Sequence, residues 1–165
     1  MLLAVALAGC GGGKKAPDPP RTQTVRGTGF SFVGPAAWRV ARAAGRLTLA
    51  PAGDDTTLVS VQRYRLLKLY RPAIFAAAAR ELDARTDALA RLRHGRVTAR
   101  RTTRVAGLRV RAYDLRAGDV LQRLAYVLRG HDEYLLTCQY ARGRDDPAGA
   151  CARLLASFRL TAPPA

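Results

Sequence analysis

The sequence predicts an α+β fold: an antiparallel β-sheet of about six or seven strands flanked by helices. Two observations carry this prediction. Segments of period-two alternation fall into two groups, separated by one long stretch whose apolar residues recur at three- and four-residue spacing. A second, shorter stretch of helical spacing closes the chain, so each group of strands is followed by a helix.

The first strand signal is Gly29-Phe30-Ser31-Phe32-Val33, interrupted by Gly34 and Pro35 and followed by Trp38-Arg39-Val40. Arg46 to Ala50 alternates again, with Leu47 and Leu49 on one side. Gly53-Asp54-Asp55 supplies a turn, and Thr57 to Tyr64 is a β-branched strand carrying Val59 and Val61. These strands predict an antiparallel meander. Pro72 then stands where a helix accepts proline, in its first turn, and Ile74, Phe75, Ala78, Leu82, Leu89 and Leu92 form an apolar stripe that ends at Gly95. On the opposite face, Glu81 with Arg85 and Asp87 with Arg91 have the i,i+4 spacing of helix-surface ion pairs.

The second meander begins with Arg96 to Val105, turns at Ala106-Gly107, and continues from Leu108 to Leu115. After Gly118-Asp119 come Val120 to Arg129, and Gly130-His131-Asp132 reads as a further turn before Glu133 to Tyr140. Asp145 or Asp146 caps the closing helix, which has Pro147 in its first turn and Ala150, Leu154, Leu155 and Phe158 as its buried stripe.

Length and composition fit one globular domain. Of 165 residues, 48% are hydrophobic and 24% charged; no stretch approaches the ~18 consecutive apolar residues of a spanning helix. The net charge of +16 points to nucleic acid, anionic lipid or an acidic polymer as partner. Its distribution weakens that inference. All but three of the basic residues are arginine, they fall singly through the strands, and the densest run is only Arg100, Arg101 and Arg104. With the abundance of alanine, this is also what the codon bias of a GC-rich genome produces on solvated faces.

At the amino terminus, apolar residues from Met1 to Ala8 run into Leu7-Ala8-Gly9-Cys10. This resembles the lipobox of bacterial lipoproteins, which implies that residues 1–9 are a signal peptide and that Cys10 carries a thioether-linked diacylglycerol. A single acyl chain holds a protein only marginally at a bilayer, and two or more make the attachment stable. The run lacks a preceding Lys or Arg, as it would if the natural start lay upstream. Residues 10–26, rich in Gly, Pro, Lys and Thr, read as a lipidated cysteine and flexible linker that holds the domain of residues 27–162 on the order of 20 Å from the membrane. Lys14 and Lys15, beside the anchor, would each gain about 1 kcal/mol near anionic headgroups.

The Gly29-Phe30-Ser31-Phe32 strand with Pro35 and Trp38 behind it, Val105-Ala106-Gly107-Leu108, and Ala156-Ser157-Phe158 near the end together resemble the Mog/PsbP-like domains. These include many actinobacterial lipoproteins of the LpqN type. The resemblance covers residues 27 to 160 or so and implies a PsbP-like α/β/α sandwich that docks partners rather than performing chemistry. It carries over no ligand-binding residue.

Cys138 and Cys151 would be oxidised to a disulfide outside the cytoplasm, stabilising the fold by about 3 kcal/mol; two reduced core thiols, or a redox or metal role that the lack of CxxC argues against, are the alternatives. Catalytic signals are weak. Neither His94 nor His131 lies near a nucleophile motif, and a His131–Cys138 pair would be lost to the disulfide. Asp54-Asp55 and Asp145-Asp146 have the look of paired carboxylates or a calcium site, but each stands in a turn or cap where aspartate is expected. Gly11-Gly12-Gly13 lies in the linker and is no phosphate loop. Trp38, Phe30, Phe32, Tyr64, Tyr70 and Tyr113 line either a pocket or, at their alternating positions, the core.

The sequence therefore predicts a membrane-anchored, extracytoplasmic, non-catalytic module without cofactor or metal. Its expected partner is an envelope protein, or alternatively an anionic envelope polymer or lipid headgroup met by the basic surface. An enzyme acting on small envelope substrates is a third reading and requires a convergent polar pocket. Nucleic acid is the least expected partner, since no basic stripe is interleaved with aromatics.

Overall fold

The computed structural model describes residues 21–144 and 146–161. Cys10, Lys14, Lys15, the Gly11-Gly12-Gly13 run, Asp145 and Ala162 lie outside the described residues. The elements run β1 (Thr22–Gly27), β2 (Phe30–Pro35), β3 (Arg39–Ala43), β4 (Arg46–Ala50), β5 (Leu58–Tyr70), α1 (Phe75–Leu92), β6 (Arg96–Val105), β7 (Leu108–Ala117), β8 (Val120–Ala141), α2 (Ala150–Ser157) and β9 (Arg159–Leu160). All pairing is antiparallel. Six strands form one sheet in the order β3-β4-β5-β8-β7-β6, and β1, β2 and β9 form a smaller one with β2 in the centre.

The sheet separates two cores. On one face α2 and the small sheet bury Phe30, Phe32, Val59, Val61, Leu136, Leu154 and Phe158. On the other, α1 covers Tyr113, Leu115, Leu124, Tyr126 and Leu128 with Leu82 and Ala90. Alternation along β7 produces the division directly, since Val110 and Ala112 belong to the first core and Tyr113 and Leu115 to the second.

Three expectations change. The 22–26 segment assigned to the linker forms most of β1, held by a ladder from Thr22↔Pro35 to Gly27↔Phe30 that buries Val25. Gly130-His131-Asp132 is not a turn between strands but an irregularity inside the 22-residue β8. Its first part pairs with β7 through Tyr126 and its second part with β5 from Gly130 on. Gly130 has φ +59°. Around it the facing parity slips by one: even-numbered Leu124, Tyr126 and Leu128 face α1, whereas even-numbered Tyr134, Leu136 and Cys138 face α2. Finally, Ile74 and Leu92 of the expected helical stripe are exposed, and Phe75, Leu82, Thr86 and Ala90 are the buried positions of α1.

Candidate functional site

Cys138 and Cys151 are joined by a disulfide with Cα atoms 5.5 Å apart, which fastens α2 to β8. Asp146 caps α2 from the preceding 3₁₀ turn: its carboxylate accepts from the backbone N–H of Cys151 (2.6 Å) and Ala152 (2.9 Å). Asp54 accepts from the N–H groups of Thr56 and Thr57, both at 2.9 Å, and so builds its own turn. Among the described residues, no three His, Cys, Asp or Glu side chains converge as metal ligands. Trp38, Phe30, Phe32 and Tyr113 are core residues, and Tyr64 is exposed.

Among the described residues, most acidic side chains are engaged by arginine. Asp83 on α1 receives Arg111 bidentately (2.9 and 3.0 Å) and the Tyr113 hydroxyl (2.7 Å). Asp114 receives Arg101 and Arg123. The buried Glu133 receives Arg85, and Asp87 receives Arg100. The two i,i+4 pairs expected within α1 are thus replaced by bridges from helix to sheet. A partner on a packed sheet is held in place by the fold, whereas a flexible helix-surface pair gains only a few tenths of a kcal/mol.

One region departs from this pairing. A cleft of about 520 Å³ opens where the β1–β2 turn, the β3–β4 hairpin and β5 meet, and Arg42, Arg46, Arg63 and Arg65 line it together with Phe30 and Leu47. Among the described residues, no carboxylate does so. The β3–β4 hairpin turns through Ala44 (φ +46°) and Gly45 (φ +74°), a tight two-residue connection that holds Arg42 and Arg46 at its mouth. Strand register supplies the rest. Arg42 pairs with Leu47 and Leu47 with Val61, so Arg42 shares a sheet face with Val61, and Arg63 and Arg65 follow Val61 at period two.

An adjoining cavity of about 540 Å³ shares Arg63 and Arg65 and adds Arg129, His131, Asp132 and Tyr134. Arg63 forms a bidentate pair with Asp132 (3.0 and 3.1 Å), and Arg65 joins the same carboxylate at 3.1 Å. Burial pushes the Asp132 carboxyl up, but the hydrogen bonds from Arg63 and Arg65 outweigh it and hold it below the usual carboxylate range. Among the described residues, Arg42 and Arg46 meet only neutral acceptors, the Arg26 carbonyl (3.2 Å) and Gln62 Oε1 (2.9 and 2.7 Å) respectively. Four arginines (42, 63, 65 and 129) less the single Asp132 carboxylate leave a local charge of +3; Arg46 also borders the cleft, but its ladder pairing with Gln62 sends its side chain to the opposite sheet face. Such an arrangement suits a phosphate or carboxylate, which guanidinium forks engage in bidentate fashion.

Sequence reasoning misses this cleft because it treats the arginines as single and dispersed. The available signal is a short hairpin bracketed by Arg42 and Arg46, followed by Arg63 and Arg65 at period two.

No family model matches the chain. No curated protein matches it either. Among solved structures, the solution structure of cyanobacterial PsbP (CyanoP) from Synechocystis sp. PCC 6803 is similar, with a TM-score of 0.62 at 12% identity over 94% of this chain and 99% of that one. A crystal structure from Bacteroides thetaiotaomicron matches with a TM-score of 0.55 at 10% identity, over 84% of this chain and 50% of that one. These likenesses establish a PsbP-like α+β fold, in agreement with the layers described above.

Proposed function

We propose that the chain is a lipid-anchored, non-catalytic binding module of the LpqN type on the outer side of a bacterial membrane, and that its arginine-lined cleft takes a phosphate or carboxylate group of an envelope component. The observation that carries this reading is the convergence of Arg42, Arg63, Arg65 and Arg129 on adjoining cavities with one carboxylate, Asp132, between them. The lipobox at Cys10 and the linker support the location. The Cys138–Cys151 disulfide agrees with an oxidising compartment, and a PsbP-like fold is compatible with a non-catalytic role. A charged cleft favours an anionic ligand over the protein partner that the family resemblance alone suggests.

Binding of inorganic pyrophosphate to the full chain, measured by titration calorimetry at low and high salt, tests this. Affinity falls as salt screens the exposed charges, and Arg42→Gln with Arg129→Gln weakens it about tenfold or more. Arg96→Gln with Arg116→Gln, which alters an arginine pair facing each other across β6 and β7, leaves it within about twofold. Equal losses from both double variants would replace a built cleft with diffuse surface charge.

A further inference from the structure

Large hydrophobic side chains exposed among the described residues are five: Tyr64, Leu67, Leu69, Ile74 and Leu92. Four of them fall between residues 64 and 74, which makes them one local feature rather than scattered surface. Leu67 is 101% exposed, Leu69 43% and Ile74 48%. A core residue does not stand fully in solvent, and a solvent-facing position has no need of three leucines in four residues (Leu66, Leu67 and Leu69).

The geometry of the sheet produces this protrusion. β4 pairs with β5 only as far as Gln62. The ladder to β8 reaches Arg65↔Asp132 and resumes at Tyr70↔Gly130, so four β5 residues lie opposite the single residue His131. The Leu66 carbonyl lies 3.4 Å from His131 Nδ1 at the base of the protrusion. Leu66 turns inward against the α1 core, and Leu67, Lys68 and Leu69 are left outside.

The charge around these side chains has one sign. Arg65, Lys68 and Arg71 are exposed in the same stretch, and no acidic residue occurs from Arg65 through Arg80. Across the ladder, Asp132 is occupied by Arg63 and Arg65, and Glu133 is buried with Arg85. Arg65 also lines the arginine cleft, so the protrusion and the cleft share an edge.

We propose that the β5 protrusion and the turn that follows it, Tyr64 to Ile74, dock onto an anionic bilayer surface, with Leu67 and Leu69 entering the headgroup–acyl boundary and Arg65, Lys68 and Arg71 meeting lipid phosphates. Exposed apolar side chains ringed by cations, with no free carboxylate beside them among the described residues, are complementary to such a surface. The inference deepens the cleft reading by naming the bilayer as the source of the anion, and for the domain's orientation it rests on that reading. Docking in this way sets the sheet end that carries the cleft against the membrane.

The test uses the full chain with Cys10→Ser, which removes the point of acyl attachment, and vesicles containing phosphatidylglycerol beside vesicles of phosphatidylcholine alone. Co-sedimentation is expected with the first and not with the second. Leu67→Ser with Leu69→Ser, at positions outside the core, is expected to weaken that binding at least about tenfold while pyrophosphate binding stays unchanged. The emission of a Leu67→Trp variant is expected to shift to the blue when anionic vesicles are added.

Vesicle binding that is insensitive to the leucine substitutions, or an unshifted emission from the Leu67→Trp variant, overturns the docking proposal and leaves the cleft standing. Binding that is absent from both vesicle types also overturns it, and points to a protein as the occupant of the apolar protrusion. Failure of pyrophosphate binding in the unsubstituted chain is a separate outcome that removes the cleft reading and not the leucine insertion.

Discussion

Glu133 shows how single residues carry the unusual charge of this chain. It is buried at 2% exposure, and its partner Arg85 reaches it from α1 while stacking over the Tyr126 ring at 4.9 Å. Removing the guanidinium strands a buried carboxylate, the expensive way to break such a pair. Arg85→Ala is therefore expected to cost about 3 kcal/mol in chemical denaturation, while Arg91→Ala, at an exposed position outside any ion pair of the described residues, stays within about 0.5 kcal/mol. The sequence presents Glu81 with Arg85 and Asp87 with Arg91 as helix pairs, and that local spacing misleads. Arg85 and Arg100 find acids 48 and 13 residues away, distances that only the tertiary fold closes. Cys138 and Cys151 are legible for the opposite reason: few cysteines leave few pairings, and the structure joins the two.

At the scale of elements, boundaries marked by turn chemistry are legible in the sequence, and those set by packing are not. Ala106-Gly107 reads as a hairpin and forms one, with both residues at positive φ. Gly130 carries the same glycine signal but serves a bulge, since β8 is long enough to serve β7 and β5 in succession. Gly95 reads as the end of α1, yet the left-handed position belongs to His94 (φ +51°). There the N–H of His94 bonds to the Arg91 carbonyl and that of Gly95 to the Ala90 carbonyl, a Schellman closure. Gly95 is required for another reason, because a Cβ there would collide with the Arg116 carbonyl. His94→Gly is thus expected to raise stability by roughly 0.5–1 kcal/mol, and Gly95→Ala to lower it, both read as shifts of the denaturation midpoint at constant slope. Opening the Cys138–Cys151 bridge by Cys138→Ser with Cys151→Ser releases a 13-residue loop and is expected to cost about 3 kcal/mol.

Over the whole molecule, the arrangement of charge predicts the dependence of stability on pH. Asp83, Asp114 and Asp132 all titrate below the ordinary carboxylate range, for the same reason in each case. Burial raises the carboxyl, and hydrogen bonds from arginine (with Tyr113 at Asp83) lower it further than burial raises it. A carboxyl with a depressed folded-state value contributes stability that is complete above its unfolded value near 3.9 and is lost as pH falls through the folded value. On the alkaline side, burial raises Tyr113, Tyr134 and Tyr70. Their contribution is complete below the unfolded value near 10 and disappears as pH rises through the folded ones. Thermal midpoints are accordingly expected to be level from about pH 5 to 9 and to fall on both sides. The acid limb is steepened by a net charge that is already +16 and grows as carboxylates are protonated. Asp114→Asn removes the carboxylate charge shared by Arg101 and Arg123 and leaves a single amide oxygen to accept from them. It is expected to lower the neutral plateau and flatten the acid limb together, whereas a plateau lowered with no change in the acid limb would show that the Asp114 contribution is packing and not charge.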